Sequence, residues 1–182
     1  MPVSNYVNIP QVMRITKELT KQPDVHINSV LDIGCGFGKF GFMFRELLDV
    51  RLKRYNRDEW LVRLDTVEIY EKYITPMHKH LYDNIVIGDI VKEVDRLPNY
   101  DIIMMSEVLE HIPKGDGFCL VNKLINKTKY ILFLSFPPDC KLHDPGWDNK
   151  HEAHISQWNL EILKEINPKF ENINRSLFML RK

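Results

Sequence analysis

LDIGCGFGKFG, residues 31–41, follows a short apolar run and leads into a segment of helical spacing. Two glycine patterns overlap in it. Gly36, Gly38 and Gly41 spell G-x-G-x-x-G, the fingerprint in which a helix N-terminus holds a pyrophosphate. Gly34, Gly36 and Gly38 spell the alternating G-x-G-x-G instead, with Asp32 two residues ahead. One register predicts a ligand that carries phosphate, the other a ligand without it. A P-loop is excluded, because no G-K-[ST] follows the glycines.

Outward from this loop, strand-like and helix-like runs alternate. SVLDIG (29–34) is a strand that enters the glycines, and FGFMFRELLDVRLKRY (40–55) reads as the helix that leaves them. Further strands are expected at 61–70, 84–90, 100–108 and 130–137, with a helix over 71–82 whose Pro76 suits a first turn and another in GDGFCLVNKLINKT (115–128). Val12, Ile15 and Leu19 recur at helical spacing and predict a leading amphipathic helix over 9–22, stopped near Pro23. Parallel strands need crossover connections, so this alternation predicts an α/β, doubly wound Rossmann-like sheet with helices on both faces. One domain is expected: a leading helix (1–27), a core (28–137), and a loop, helix and closing strand (138–182).

Composition narrows the class. The chain has 182 residues, formal net charge zero, 44% apolar and 27% charged residues, which gives no global field toward nucleic acid or membrane. Three scattered cysteines, Cys35, Cys119 and Cys140, suit free thiols in a reducing compartment. The opening MPVSNYVNIP lacks a signal-peptide layout, and no apolar run approaches the roughly 20 residues of a membrane helix. A cytoplasmic protein is expected.

In open parallel sheets the ligand lies beyond the carboxyl ends of the strands. Gly34 to Gly38, Glu68, Asp89 and Ser106 to His111 all fall just after four successive strands. Glu68 suits the ribose diol of any adenosine-bearing cofactor and does not discriminate. Asp32 does, since a carboxylate beside the loop would repel a pyrophosphate and suits an ammonium group. Asp89 is placed to accept a hydrogen bond from an adenine amino group. Each has a plain structural reading as well, Asp32 as a turn cap, Glu68 as a solvated strand-end acid and Asp89 as a helix N-cap.

Taken together, VLDIGCGFGKFG, VEIY, IVIGDI and YDIIMMSEVLEHI resemble the four motifs of the class I S-adenosylmethionine-dependent methyltransferases, over residues 28–137. The resemblance implies a Rossmann-like sheet, mostly parallel, with an antiparallel C-terminal strand. It implies that Gly34, Cys35, Gly36 and Gly38 let the backbone approach S-adenosylmethionine, with Asp32 near its amino-acid end. Glu68 and Ile69 would meet the ribose, Asp89 and Ile90 the adenine, and Ser106 and Glu107 the methionine portion. SEVLEH stands where amino-methylating nucleic-acid enzymes carry [DNS]-P-P-[YFW], which resembles the small-molecule subgroup, and no Pro-Cys nucleophile ends the fourth strand.

The acceptor side is the histidine-rich stretch 138–155 together with His111. His111 and His154 are the candidate bases, because an unperturbed imidazole titrates near neutrality. Trp158 is a candidate lining residue, with Ser156 as a helix N-cap. Cys140, His143, His151 and His154 offer four potential ligands of residue types that zinc favours, but the spacing matches no familiar finger, so no metal is expected. The basic RLKRYNR (51–57) reads as a solvated face. The expected activity is methyl transfer to an oxygen or nitrogen of a small-molecule acceptor, with no membrane or nucleic-acid partner and the oligomeric state open. The alternatives are a nucleic-acid or protein methyltransferase, a non-catalytic cofactor-binding subunit, and, least favoured, an NAD-dependent dehydrogenase, which lacks a Tyr-x-x-x-Lys.

Overall fold

Successive residues of the central strands face opposite ways, and both faces are apolar. Ile103, Met105, Leu132 and Leu134 enter one core cluster, while Ile102, Met104, Ile131 and Phe133 enter a second. A strand buried on both sides needs a layer on each side, which is the sandwich that the alternating runs predict. In the computed structural model, which describes residues 6–137, 141–143 and 149–182, helices supply both layers.

The strands are β1 (Ser29–Ile33), β2 (Arg63–Glu68), β3 (Asn84–Ile87), β4 (Tyr100–Ser106), β5 (Thr128–Ser135), β6 (Glu171–Asn172) and β7 (Leu177–Arg181). They form one seven-stranded sheet in the order β3-β2-β1-β4-β5-β7-β6. β1 to β5 pair in parallel, whereas β7 runs antiparallel to both β5 and β6. The closing hairpin of the fold is thus present, with its edge strand cut to two residues. The strand order reverses between β1 and β4, so the crevice above their carboxyl ends is the switch point where such sheets take ligands.

The helices are α1 (Ile9–Leu19), α2 (Lys39–Leu48), α3 (Pro76–Leu81), α4 (Ile90–Glu93), α5 (Lys114–Lys127) and α6 (Leu160–Ile166). α1, α2 and α3 cover one face through Val12, Ile15, Leu19, Phe40, Phe44 and Leu81. α4, α5 and α6 cover the other through Ile90, Leu120, Val121, Leu124 and Leu163. Pro76 occupies the first turn of α3, as its missing N–H allows.

Two boundaries differ from expectation for clear reasons. α2 stops at Leu48 rather than running to residue 55, because the buried Asp49 carboxylate draws the chain into a turn. Asp49 accepts from Arg45, from Arg54 Nε and from the Leu61 backbone N–H, and Lys53 adopts a left-handed φ of 66°. Arg54 and Arg57 of the basic stretch are spent on Asp49 and Asp83. The last helix is capped by Asn159, whose side chain accepts from the Ile162 N–H at 2.9 Å, not by Ser156.

Candidate functional site

Three glycines of the 31–41 stretch have left-handed backbone, and they are those of the alternating register: Gly34 (φ 69°), Gly36 (φ 53°) and Gly38 (φ 78°). Gly34 also has no room for a side chain, since a Cβ there would stand 2.3 Å from Val108 Cγ2. Gly41, which would complete the dinucleotide register, serves packing instead. A Cβ on Gly41 would meet the Tyr82 hydroxyl at 2.3 Å.

That hydroxyl decides the fate of Asp32. Tyr82 Oη donates to Asp32 Oδ2 at 2.6 Å, and Asp32 is 1% exposed beneath the loop. Burial pushes its carboxyl up to about 6, even though the Tyr82 bond favours the charged form. Asp32 does not line the pocket, so the expectation that it faces the ligand's amino-acid end is corrected. Its carboxylate instead braces α2 and α3 under the glycines. Gly38 lies behind the lining as well, as the N-cap of α2, while Phe37 and Lys39 on either side of it reach the pocket.

The remaining strand-end residues do converge. A cavity of about 820 Å3 opens above the carboxyl ends of β1 to β4, within the range of small-molecule sites. Gly34, Cys35, Gly36, Glu68, Ile69, Asp89, Ile90, Ser106, Glu107, His111 and His154 all line it. Glu68 holds the loop from below: Gly36 N–H donates to its Oε2 at 3.2 Å, and Tyr70 N–H to its Oε1 at 3.0 Å. The Cys35 thiol also donates to Oε2 at 4.0 Å, which leaves Oε1 as the oxygen with a lone pair for a ligand. Asp89 caps α4 by accepting from the Val91 N–H at 3.0 Å, so its structural role and its place on the wall coexist. Cys35 is a buried thiol, pushed up by burial, then by Asp32, and is unsuited to be a nucleophile.

Glu107 is one of two non-glycine residues among those described with positive φ, at 54°. Its N–H donates to the Ser135 carbonyl at 2.8 Å, and Ser135 Oγ donates to its Oε1 at 3.0 Å. Strained backbone held by such bonds clusters at functional sites. Burial raises the Glu107 carboxyl, partly countered by Ser135 and by Lys39. The Lys39 ammonium is held below its ordinary value by burial, against the pull of Glu107 and Asp32.

On the acceptor side, the turn Leu109–His111 meets the 149–156 segment backbone to backbone. Ile155 N–H and Ser156 N–H both donate to the Glu110 carbonyl, at 2.9 and 3.0 Å. His143 and His154 pair as an isolated antiparallel bridge, with ring centroids 4.1 Å apart, and the His111 ring stands 4.9 Å from that of His154. His111 Nδ1 lies 2.9 Å from the Ala153 carbonyl, which fixes Nδ1–H as donor and leaves the lone pair on Nε2. Burial lowers both His111 and His154, with like charge from neighbouring histidines adding to it, so both imidazoles favour the neutral form. Cys140 of the four-ligand reading lies outside the described residues.

Trp158 is corrected. It is 3% exposed in the core, its Nε1–H donating to Ser156 Oγ at 2.8 Å and to the Leu109 carbonyl at 3.2 Å, and it does not line the pocket. Sequence reasoning missed three contributors. His78 of α3 accepts from the Thr75 N–H through Nδ1 and donates through Nε2 to the Gly36 carbonyl at 2.8 Å, which props the loop. Tyr73 Oη donates to Glu152 at 2.9 Å and accepts from Asn149 at 3.2 Å, tying the 149–152 segment to the turn after β2. Glu110 is the third, buried with both carboxylate oxygens unpartnered. Only Glu110 had a local signal, its place in SEVLEH; the others act across long stretches of chain.

Six carboxylates line the cavity (Glu68, Asp89, Glu107, Glu110, Asp116, Glu152) against two lysines, Lys39 and Lys92. Such a wall repels a pyrophosphate and suits a ligand rich in hydroxyls, amino groups or positive charge.

No protein-family model matches the chain, and no curated protein matches its sequence. Its fold does match solved structures. An S-adenosylmethionine-dependent methyltransferase from Archaeoglobus fulgidus aligns with 90% of this chain and 70% of its own, at 21% identity and a TM-score of 0.58. Magnesium protoporphyrin IX methyltransferase (ChlM) from Synechocystis PCC 6803, solved with bound SAH, aligns with 99% of this chain and 88% of its own, at 16% identity and a TM-score of 0.59. The small RNA methyltransferase HEN1 aligns with all of this chain but 26% of its own, at 17% identity and a TM-score of 0.58. The chain has the class I S-adenosylmethionine-dependent methyltransferase fold. Among the described residues, no helix is long and apolar enough to cross a membrane.

Proposed function

We propose that this chain is a methyltransferase that uses S-adenosylmethionine to methylate an oxygen or nitrogen of a small-molecule acceptor. The observation that carries the reading is the carboxylate-rich wall below three left-handed glycines, at the switch point of a sheet with this fold. The residues present fit the cofactor. Glu68 would take the ribose diol, Asp89 the adenine edge with the oxygen that does not cap α4, and Ser106, Glu107 and Lys39 would surround the methionine end. When bound, the cofactor supplies an electrophilic methyl on a sulfonium, transferred by in-line displacement as positive charge disperses.

The protein's part is alignment and exclusion of water more than strong acid–base chemistry. The glycine loop, braced by Glu68 and His78, fixes one side of the pocket, and the 149–154 segment, tied down through Tyr73 and Ala153, fixes the other. Where the acceptor must lose a proton, the Nε2 lone pair of His111 is the candidate base, with His154 beside it. That HEN1 shares the fold keeps RNA as a second acceptor class, and the zero net charge speaks against it.

The test is a thermal-shift titration with S-adenosylhomocysteine beside NAD. At about a hundred times the dissociation constant, binding stabilises the native state by about 2.7 kcal/mol, a melting shift of roughly 5–10 °C at this size. A shift with S-adenosylhomocysteine alone supports the reading and starts an acceptor screen. A shift with NAD alone overturns it, and turnover absent with every acceptor class would favour a binding subunit.

A further inference from the structure

We propose that Glu110, His111 and His154 form a binding site for one divalent transition-metal ion, open toward the acceptor side of the pocket. One ligand atom from each residue falls within a group whose members are all within 4.8 Å of one another. Donors on a tetrahedral zinc-sized ion stand about 3.4 Å apart, so side-chain rotations of the order of 1 Å would close this set on a single ion. All three residues line the cavity.

The independent observation is the state of Glu110. Its side chain belongs to a residue only 1% exposed, and neither carboxylate oxygen has a hydrogen-bond partner. Burying such a group without partners is costly, and a native structure that does so calls for a specific reason. Among the described residues no cation pairs with it: none of their ion pairs involves Glu110, and the charges acting on it are the carboxylates of Glu107 and Glu152. A bound dication would supply the missing partner.

The surroundings are those of a ligand set held in advance. The Ile155 and Ser156 N–H groups clamp the Glu110 carbonyl, which fixes the turn carrying Glu110 and His111 against the segment carrying His154. His111 donates Nδ1–H to the Ala153 carbonyl, the outer contact that orients a ligating imidazole and presents its other nitrogen. Two imidazoles and one carboxylate are the donor set of open metal sites, with positions left for a substrate or water. Calcium and magnesium prefer all-oxygen sets, so a zinc-like ion fits better. If the transferase reading holds, an acceptor oxygen at an open position would become more acidic, and His111 would act as ligand rather than base.

Calorimetry on chelator-stripped full chain with Zn2+, repeated with Co2+ for its visible spectrum, tests the site. The expected result is one ion per chain, a Co2+ spectrum without thiolate charge-transfer absorption, and affinity weakened roughly tenfold or more in Glu110→Gln and in His154→Ala. His26→Ala, at an exposed histidine, should leave binding unchanged. Glu110→Gln removes a buried unpartnered carboxylate and is not expected to impair folding; melting curves verify both variants. No saturable binding, or equal affinity in both variants, overturns the proposal. S-adenosylhomocysteine is titrated into the same samples: a chain that binds it but no ion overturns the metal site alone, and a chain that binds the ion but not the nucleoside overturns only the cofactor reading.

Discussion

At the C-terminal end of α2, Arg45 is buried with its guanidinium 2.9 Å from Asp49 and 2.7 Å from Asp83, and its Nε–H donates to the Leu81 carbonyl at 2.8 Å. At the opposite rim, Glu110 is buried as deeply, and its carboxylate oxygens have no hydrogen-bond partner among the described residues. The first region holds charge as structure, with cation, anions and backbone carbonyls saturating one another. The second gathers carboxylates around a cavity and leaves their capacity unspent. A fold that satisfies one buried ion network and leaves another open marks the open one as the place where something else binds.

The comparison is broken most forcefully by removing one charge from each region. Asp49→Asn leaves the Arg45 guanidinium buried and under-paired, and should cost about 3–5 kcal/mol in urea unfolding. A loss below about 1 kcal/mol would show that the network is not structural. Glu68→Ala should weaken S-adenosylhomocysteine binding by about 1–3 kcal/mol in calorimetry, through unmade hydrogen bonds and a loosened glycine loop. Unchanged affinity would place Glu68 away from the ligand.

Asp32 adds a pH signature. Its folded carboxyl lies at about 6, above the unfolded 3.8, so the native state binds the proton more tightly. Stability from this group is therefore present at low pH and lost as pH rises through 3.8 toward 6. Asp32→Asn does not titrate, so its stability relative to the wild type should gain about 2 kcal/mol between pH 4 and pH 7. A difference independent of pH would mean that the Asp32 carboxyl is not perturbed.

How far the sequence could be read follows the range of the forces involved. The five parallel strands were legible because two-sided burial leaves apolar runs, and the strand ends carried Glu68, Asp89 and Glu107 to one rim. The glycine register was legible because left-handed backbone favours glycine, and Gly34, Gly36 and Gly38 adopt it. Asp32 misled because the sequence places it beside the loop without showing on which side of the strand it lies. Tyr82, fifty residues on, takes it into the core. Trp158 misled likewise, since a tryptophan four residues after a site histidine turns inward to Leu109 and Ser156. His111 and His154 were legible as acceptor-side residues, but their meeting with Glu110 as one ligand set was not. Forty-three residues separate the two histidines, and the backbone clamp from Ile155 and Ser156 together with the His111–Ala153 hydrogen bond brings them together.

The smallest expected effect sharpens the comparison furthest. Glu110→Gln is the same kind of change as Asp49→Asn, carboxylate to amide in a buried site, yet without metal its cost should be near zero. Burial, then Glu107, raises the Glu110 carboxyl well above the usual carboxylate range, which favours its uncharged form while no cation is bound. The substitution keeps the shape and breaks no hydrogen bond or ion pair of the side chain among the described residues, and a change within about 0.5 kcal/mol is expected in urea unfolding. A large loss would mean that the Glu110 carboxylate is ionised and paired in the native protein, as Asp49 is, and the contrast between the two regions would fall.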